Sequence, residues 1–322
     1  MRAIQVTEHG GPEVLKLVEI DSPKPGPTDL LVDLAAAGVN YIDTYHRSGA
    51  YPTKPPFVLG LEGAGTVREV GADVTEFTVG DRVAWATVSG SYAEQVVVPA
   101  EEAVRVPDGI DDQTAAAAPL QGMTAQYLLK STYPVKAGET ILVHAAAGGV
   151  GLLLTQWAKN LGARVIGTVS TAAKEELARA AGADEIIRYT EQNVADEVRR
   201  LTDGAGVHVV YDGVGKDTFD ASLASLRRRG TLALFGASSG PVPPVDLQRL
   251  NAGGSLFVTR PTLMHHTDER DELVARASDV FDAIAAGMLT LRIAHTYPLA
   301  DAATAHEDLQ GRRTTGKLLL LP

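Results

Sequence analysis

GETILVHAAAGGVGLLLTQWAK, residues Gly138–Lys159, decides how this chain is read. It predicts a buried strand over Thr140–Ala145, a glycine turn over Ala146–Gly151 and a helix running to about Leu161. Glycines between a strand and a helix leave backbone N–H groups open at the helix start. The helix dipole is positive there, which suits a diphosphate. Gly148 and Gly149 let the backbone approach phosphate, and Gly151 lets the helix pack close on the strand. Val150, Leu154, Trp157, Ala158 and Leu161 form one apolar helix face. Gly162 ends the helix and a second apolar strand, Arg164–Val169, follows at once, which makes this the opening βαβ unit of a dinucleotide fold.

Downstream the alternation continues. Helices are expected over Ala172–Ala181, Glu191–Leu201 and Asp217–Leu226, and strands over Glu185–Arg188, Val207–Tyr211, Thr231–Phe235 and Ser255–Thr259. With the first two, that makes six strands, the number of a doubly wound parallel sheet. A long amphipathic helix follows, with Leu273, Ala277, Val280, Phe281, Ile284 and Met288 on one face, and the tail closes with a strand at Lys317–Leu321.

Upstream, short alternating segments at Arg2–Val6, Val14–Ile20, Asp29–Ala35, Ala64–Val70, Arg82–Ala86 and Tyr92–Val98 are separated by turn residues. They predict a mostly antiparallel domain. An alanine-rich stretch, Pro107–Pro119, then leads to a helix near Met123–Leu129.

The bulk composition narrows the function classes. The chain has 322 residues, 45% of them apolar and 21% charged, enough for two domains. No run of about twenty apolar residues lacks glycine or charge, so no membrane span is expected. The start, MRAIQV, reads as a strand and not as a signal peptide. There is no cysteine, which removes disulfides, thiolate metal ligands and thiol nucleophiles and fits a cytoplasmic enzyme. The formal net charge of −11 argues against nucleic-acid or anionic-membrane binding. The eight histidines show no metal-ligand spacing.

Gly138–Glu139, Leu142, Ala146–Ala147, Gly148–Gly149, Gly151, Gln156 and Lys159 follow a known signature position by position. HGGPEVL (9–15), NYIDTYHRSGAYP (40–52), PFVLGLEGAGTVREVG (56–71), GDRV (80–83), SYAEQVVVPA (91–100) and TTGKLLLLP (314–322) do the same. On these residues the chain resembles the quinone oxidoreductase/zeta-crystallin branch of the medium-chain dehydrogenase/reductase superfamily. The resemblance implies an α/β protein with a doubly wound, six-stranded parallel Rossmann sheet inserted in a mostly antiparallel GroES-like catalytic domain. The expected division is 1–122 for the GroES-like part, 123–264 for the Rossmann part and 265–322 for the return to the catalytic domain. It also implies a homodimer joined along the Ser255–Thr259 strand, whose apolar edge would otherwise stand open.

Zinc-dependent members of the superfamily carry a histidine before the glutamate of a GHE motif. Here that stretch is Gly60–Leu61–Glu62, and leucine binds no metal. Without zinc the expected chemistry is direct hydride transfer from a reduced nicotinamide to an electron-poor acceptor, a quinone first of all. An enal, enone or enoyl thioester is the rival acceptor. A binder of NADPH with little turnover, like the crystallin relatives, is the alternative of another class.

Cofactor choice is read after the second strand. In place of the usual ribose-binding acid stand Val169, Ser170 and Thr171, with Lys174 one turn on, which suits the 2′-phosphate of NADPH. The alternative reading makes Lys174 a solvated helix lysine in a charged run with Glu175 and Glu176. The resemblance adds Tyr189 beside the adenine ribose and Tyr127 as a pocket wall. It sets Asn40, Tyr41 and Tyr45 at the nicotinamide end, with Asn40 and Tyr45 as candidate catalytic residues. Asn40 also reads as a helix cap, Tyr45 as a packing aromatic and Asp43 as a cap or turn residue. Phe235, Gly236 and Ser238 leave the fifth strand at its carboxyl end, where ligands of such sheets sit. Arg260 ends the sixth strand, and Lys317 of the closing TGK is a candidate contact to cofactor phosphate or ribose.

Overall fold

The computed structural model describes all residues, Met1–Pro322. It separates into two compact units. One comprises Met1–Met123, Thr267–Ala286 and Leu291–Pro322; the other comprises Thr124–His266 and Gly287–Thr290. No helix is long and apolar enough to cross a membrane.

The first unit begins with strands β1 (Arg2–Val6), β2 (Leu15–Glu19) and β3 (Asp29–Val39), followed by helix α1 (Tyr41–Ser48). Strands β4 (Phe57–Val58), β5 (Glu62–Val70), β6 (Arg82–Trp85), β7 (Gln95–Pro99) and β8 (Val104–Arg105) come next, then helices α2 (Asp112–Ala117) and α3 (Pro119–Tyr127). The second unit holds β9 (Thr140–Val143), α4 (Gly149–Asn160), β10 (Arg164–Val169), α5 (Ala172–Ala180), β11 (Glu185–Arg188) and α6 (Val194–Leu201). It continues with β12 (Val207–Asp212), α7 (Phe219–Ser225), β13 (Leu226–Leu234), α8 (Gln248–Ala252) and β14 (Phe257–Thr259). Helix α9 (Arg270–Ala285), β15 (Ile293–Pro298), α10 (Ala302–Gln310) and β16 (Lys317–Leu321) return to the first unit.

In the first unit β3 is the organising strand. It pairs antiparallel with β5, β7 and β16 within a seven-stranded sheet. Its small residues, Ala35–Gly38, are what a strand crowded on several sides requires. Ile4, Val32, Val67, Trp85, Tyr92 and Leu318 belong to its buried core. In the second unit six parallel strands run in the order β11-β10-β9-β12-β13-β14. That is the doubly wound order with β9 as first strand, and its reversal between β9 and β12 is the switch point where ligands of this fold sit. Leu142, Ile166, Val210 and Leu232 form the core under the helices.

The six strands expected from the alternation are all present, with differences at their ends. Strand β13 begins at Leu226, not Thr231, because the Arg227–Gly230 run between the expected helix and strand is a bulge: Arg229 takes a φ of 56° and the ladder to β12 shifts register there. Strand β14 begins at Phe257, because Ser255 has a φ of 60°, which no strand accommodates. Helix α9 stops at Ala285, so Met288 lies beyond the apolar face read for it and is exposed. Helix α3 starts at Pro119 inside the alanine-rich stretch, as a proline at a first helical position allows.

Candidate functional site

In the second unit the glycine turn does what its composition allows. Gly148 is the N-cap of α4 and brings no side chain to cap the first N–H groups. A Cβ on Gly151 would collide with the carbonyl oxygen of Ala145 and press on Ala146, so only glycine lets α4 start this close to β9. Gly148, Gly149 and Val150 are partly exposed at that start. The result is an uncapped, positive helix end at the carboxyl edge of the sheet, a cradle that fits a diphosphate.

Ser170 follows β10, and Thr190 Oγ1 donates to its carbonyl at 3.1 Å. Tyr189, exposed after β11, donates its N–H to Val169 O at 3.1 Å, so Ser170 and Tyr189 flank the same strand end. Thr171 caps α5 by accepting the Lys174 N–H at 3.3 Å, which puts Lys174 in the first helical turn beside Ser170. Glu175 is paired with Arg179 at 2.9 Å and Arg188 at 3.4 Å. The nearest acid on the helix is thus held by arginines. Phe235 and Gly236 hang from Asp212 O by N–H bonds of 2.9 and 3.3 Å, and the Ser238 N–H reaches Gly213 O at 3.2 Å. Both loops therefore leave the sheet beside the switch point. Tyr127 is buried and stacks face to face with His266, centroids 4.3 Å apart. Burial pushes its hydroxyl well above the usual phenol range against the lowering effect of Arg260, which lies after β14 and donates to Pro261 O at 3.3 Å. No signal in the sequence marks His266.

Beneath the turn a buried chain of polar groups ties strand ends together. Ser222 Oγ donates to Asp212 Oδ2 at 2.7 Å, so it accepts from His144 Nε2 at 3.0 Å, and His144 Nδ1 accepts from Thr168 Oγ1 at 3.0 Å. Burial lowers the His144 pKa and keeps the ring neutral.

In the first unit Asn40 is the N-cap of α1, and its N–H donates to Asp43 Oδ2 at 2.8 Å. The cap role read for Asp43 is thus its geometry. Tyr41 and Tyr45 are half-buried, and Tyr45 also lies 5.2 Å from Tyr51, centroid to centroid. Tyr51 lies in the quoted 40–52 stretch, where no role is read for it; Gly49, with a φ of 78°, turns the chain so that the Tyr51 N–H reaches Tyr45 O at 3.1 Å.

Below α1 runs a directed hydrogen-bond chain. Arg47 Nη1 donates to His306 Nδ1 at 2.9 Å, which leaves Nε2 protonated and facing the Tyr92 hydroxyl at 3.1 Å. Tyr92 donates in turn to Asp43 Oδ2 at 2.9 Å. Burial, with Arg47 nearby, pulls the His306 pKa down to about 3. Burial pushes Asp43 up to about 7 against its hydrogen bonds from Asn40 and Tyr92, and its Oδ1 has no partner.

The Asn40 side chain is held from within the unit. Its Nδ2 donates to Glu62 Oε2 at 2.7 Å and to Gly38 O at 3.4 Å, and its Oδ1 accepts from Lys317 Nζ at 2.8 Å. Lys317 and Glu62 are an ion pair with side chains 1% and 0% exposed. Lys317, read in the sequence as a contact to cofactor phosphate or ribose, has its ammonium buried against Glu62 at the head of β16.

Residues 26–108 match the alcohol dehydrogenase GroES-like domain and residues 149–277 the zinc-binding dehydrogenase domain. The quinone oxidoreductase of Pseudomonas aeruginosa is 51% identical over 323 residues, which cover 100% of this chain and 99% of that protein. The chain belongs to the quinone oxidoreductase family. Another of its relatives, a 2-haloacrylate reductase from a Burkholderia species, is 45% identical, with 99% of this chain and 98% of that protein covered. A mycobacterial protein solved in complex with NADPH is 56% identical, superposes with a TM-score of 0.98 and covers 100% of both chains. Family and fold agree with what the sequence implied. The zinc-binding description belongs to the matched domain; in this chain Leu61 stands in the motif and no cysteine occurs.

Proposed function

We propose that the protein is an NADPH-dependent quinone oxidoreductase that works without a metal ion. The observation that carries this is the uncapped glycine start of α4 at the sheet's switch point, with Ser170 and Lys174 where an NAD enzyme has an acid. Kinship to a quinone oxidoreductase at 51% identity supports the acceptor, and a relative that binds NADPH supports the cofactor. When bound, NADPH supplies a hydride. In this reading Gly148, Gly149 and Val150 hold its diphosphate, and Ser170, Lys174 and Tyr189 hold its 2′-phosphate and adenine ribose. In the second unit Phe235, Gly236, Ser238, Arg260 and Tyr127 are the candidates for the nicotinamide side, and in the first unit Asn40, Tyr41 and Tyr45 are the candidates for the nicotinamide end. Asn40 and Tyr45 position an electron-poor acceptor. They are not obligatory acids, since a reduced quinone takes its proton from water. Residues 1–122 and 265–322 form the catalytic domain and 123–264 the nucleotide domain.

We further propose a cytoplasmic homodimer joined at β14. Phe257 and Val258, 60% and 39% exposed, form an open apolar edge of the kind that pairing with a second copy would cover. The similarity to a 2-haloacrylate reductase favours an activated C=C bond as a second acceptor class.

The test is side-by-side turnover of a quinone and a 2-haloacrylate with NADPH, after exhaustive chelation. Steady NADPH oxidation with the quinone is expected. Turnover of the haloacrylate alone would make the second reading the function, and no turnover with either would leave an inert binder. Loss of rate on chelation, restored by zinc, would defeat the metal-free reading.

A further inference from the structure

Three strand positions meet where Asn40 leaves the sheet. β3 lies between β16 and β5, Gly38 pairs with Glu62 at the head of β5, and Val39 pairs with Leu318 next to Lys317. Gly38 makes this meeting possible: a Cβ there would collide with Glu62 Oε2 and Lys317 Cε. Glu62 Oε1 also accepts the Leu120 N–H at 2.8 Å, which fixes the carboxylate from its other side.

An asparagine amide has a donating end and an accepting end, and their assignment follows from their partners. A carboxylate only accepts and an ammonium only donates. With Glu62 against one end and Lys317 against the other, a flipped amide would set oxygen against oxygen and NH2 against NH3⁺. Both hydrogens of Nδ2 have acceptors, Glu62 and Gly38 O. The accepting end of the amide is Oδ1, which takes Lys317 Nζ at 2.8 Å and Gln121 Nε2 at a long 3.5 Å. We infer that the Glu62–Lys317 pair is a positioning device that presents Asn40 as a hydrogen-bond acceptor, so that the ligand group it takes is a donor: a ribose hydroxyl or the carboxamide NH2 of the nicotinamide half of NADPH. This rests on the reading of Asn40 given above and assigns Glu62 and Lys317 a part in it.

Glu62→Gln and Lys317→Met each leave one buried charge unpaired and lower Tm. The double variant removes both charges, and such replacements of a buried pair are often neutral or stabilising. NADPH affinity is read by titrating cofactor fluorescence. The double variant is expected to regain most of Tm yet bind NADPH at least tenfold more weakly, and the same double change in an Asn40→Ala background is expected to cost little more. Wild-type affinity regained together with Tm, or an undiminished loss in the Asn40→Ala background, would reduce the pair to a structural one.

A measurement on the unaltered protein covers a double variant that does not fold. The Asn40 side-chain NH2 hydrogens are expected to keep their exchange protection when NADPH binds, and loss of protection would show that the amide turns its donors to the ligand. Binding decides these outcomes without any acceptor. A protein that binds NADPH but reduces no quinone therefore defeats the proposed function and still reports on Glu62 and Lys317.

Discussion

At Asp43 burial opposes ionisation, and the sign of the pH effect follows. The folded protein holds the proton up to about pH 7, while an exposed aspartate releases it near 3.8. Between those values the folded state binds more protons, so stability falls as pH climbs from about 4 to about 7 and levels off above. An amide in place of the carboxyl mimics the protonated acid. Urea midpoints of Asp43→Asn are expected to lack this slope, the gap to wild type reaching about 4 kcal/mol at most; a gap constant across the window would mean that Asp43 is ionised throughout. At Lys174 the expectation concerns discrimination. Lys174→Ala should weaken NADPH by about 1–3 kcal/mol, the scale of a charge-assisted contact, and leave NADH nearly unchanged; equal loss for both would take Lys174 out of 2′-phosphate reading. Tyr45→Phe removes only a hydroxyl and is expected to cost about 0.5–1.5 kcal/mol in kcat/KM. A loss above about a hundredfold would make Tyr45 a proton donor.

The decisive element is the join of β9 to α4. Gly151→Ala must push the helix off the Ala145 carbonyl. Overpacking of this kind costs about 1–3 kcal/mol, and because the displaced turn carries the open N–H groups, NADPH affinity should fall with stability. Tm and a cofactor titration check both, and a variant with unchanged affinity would remove the turn from the binding site. This element was legible in advance because everything that shapes it is local: glycines, helix period and a β-rich run. The α1 end was legible only in part. A helix after β3 and a cap at Asp43 follow from residues 40–48, but His306 lies 263 positions from Asp43 in sequence (306 − 43) and Glu62 and Lys317 are 255 apart. No spacing rule links such residues.

For the whole molecule the open edge of β14 makes a prediction about assembly. Val258→Lys places a charge on an apolar edge, a change that blocks strand pairing. Wild-type protein is expected to run as a dimer in light scattering at micromolar concentration and the variant as a monomer, each keeping its far-UV spectrum. A monomeric wild type would end the proposal of a β14-centred dimer.

Local order along the chain determined the alternation of strand and helix, the parallel sheet of six and the glycine turn with its neighbours at Ser170 and Lys174, because each depends on residues a few positions apart. The metal-free GLE motif and the absence of cysteine are likewise properties of composition and order alone. Pairing across the sheets decided the rest. The register of β16 on β3 took Lys317 out of the solvent and gave it to Glu62, the antiparallel neighbours of β3 set the orientation of the Asn40 amide, and burial raised Asp43, an ordinary capping acid, to about 7 against its hydrogen bonds from Asn40 and Tyr92. These depend on burial and on contacts between distant segments, which exist only once the chain has folded.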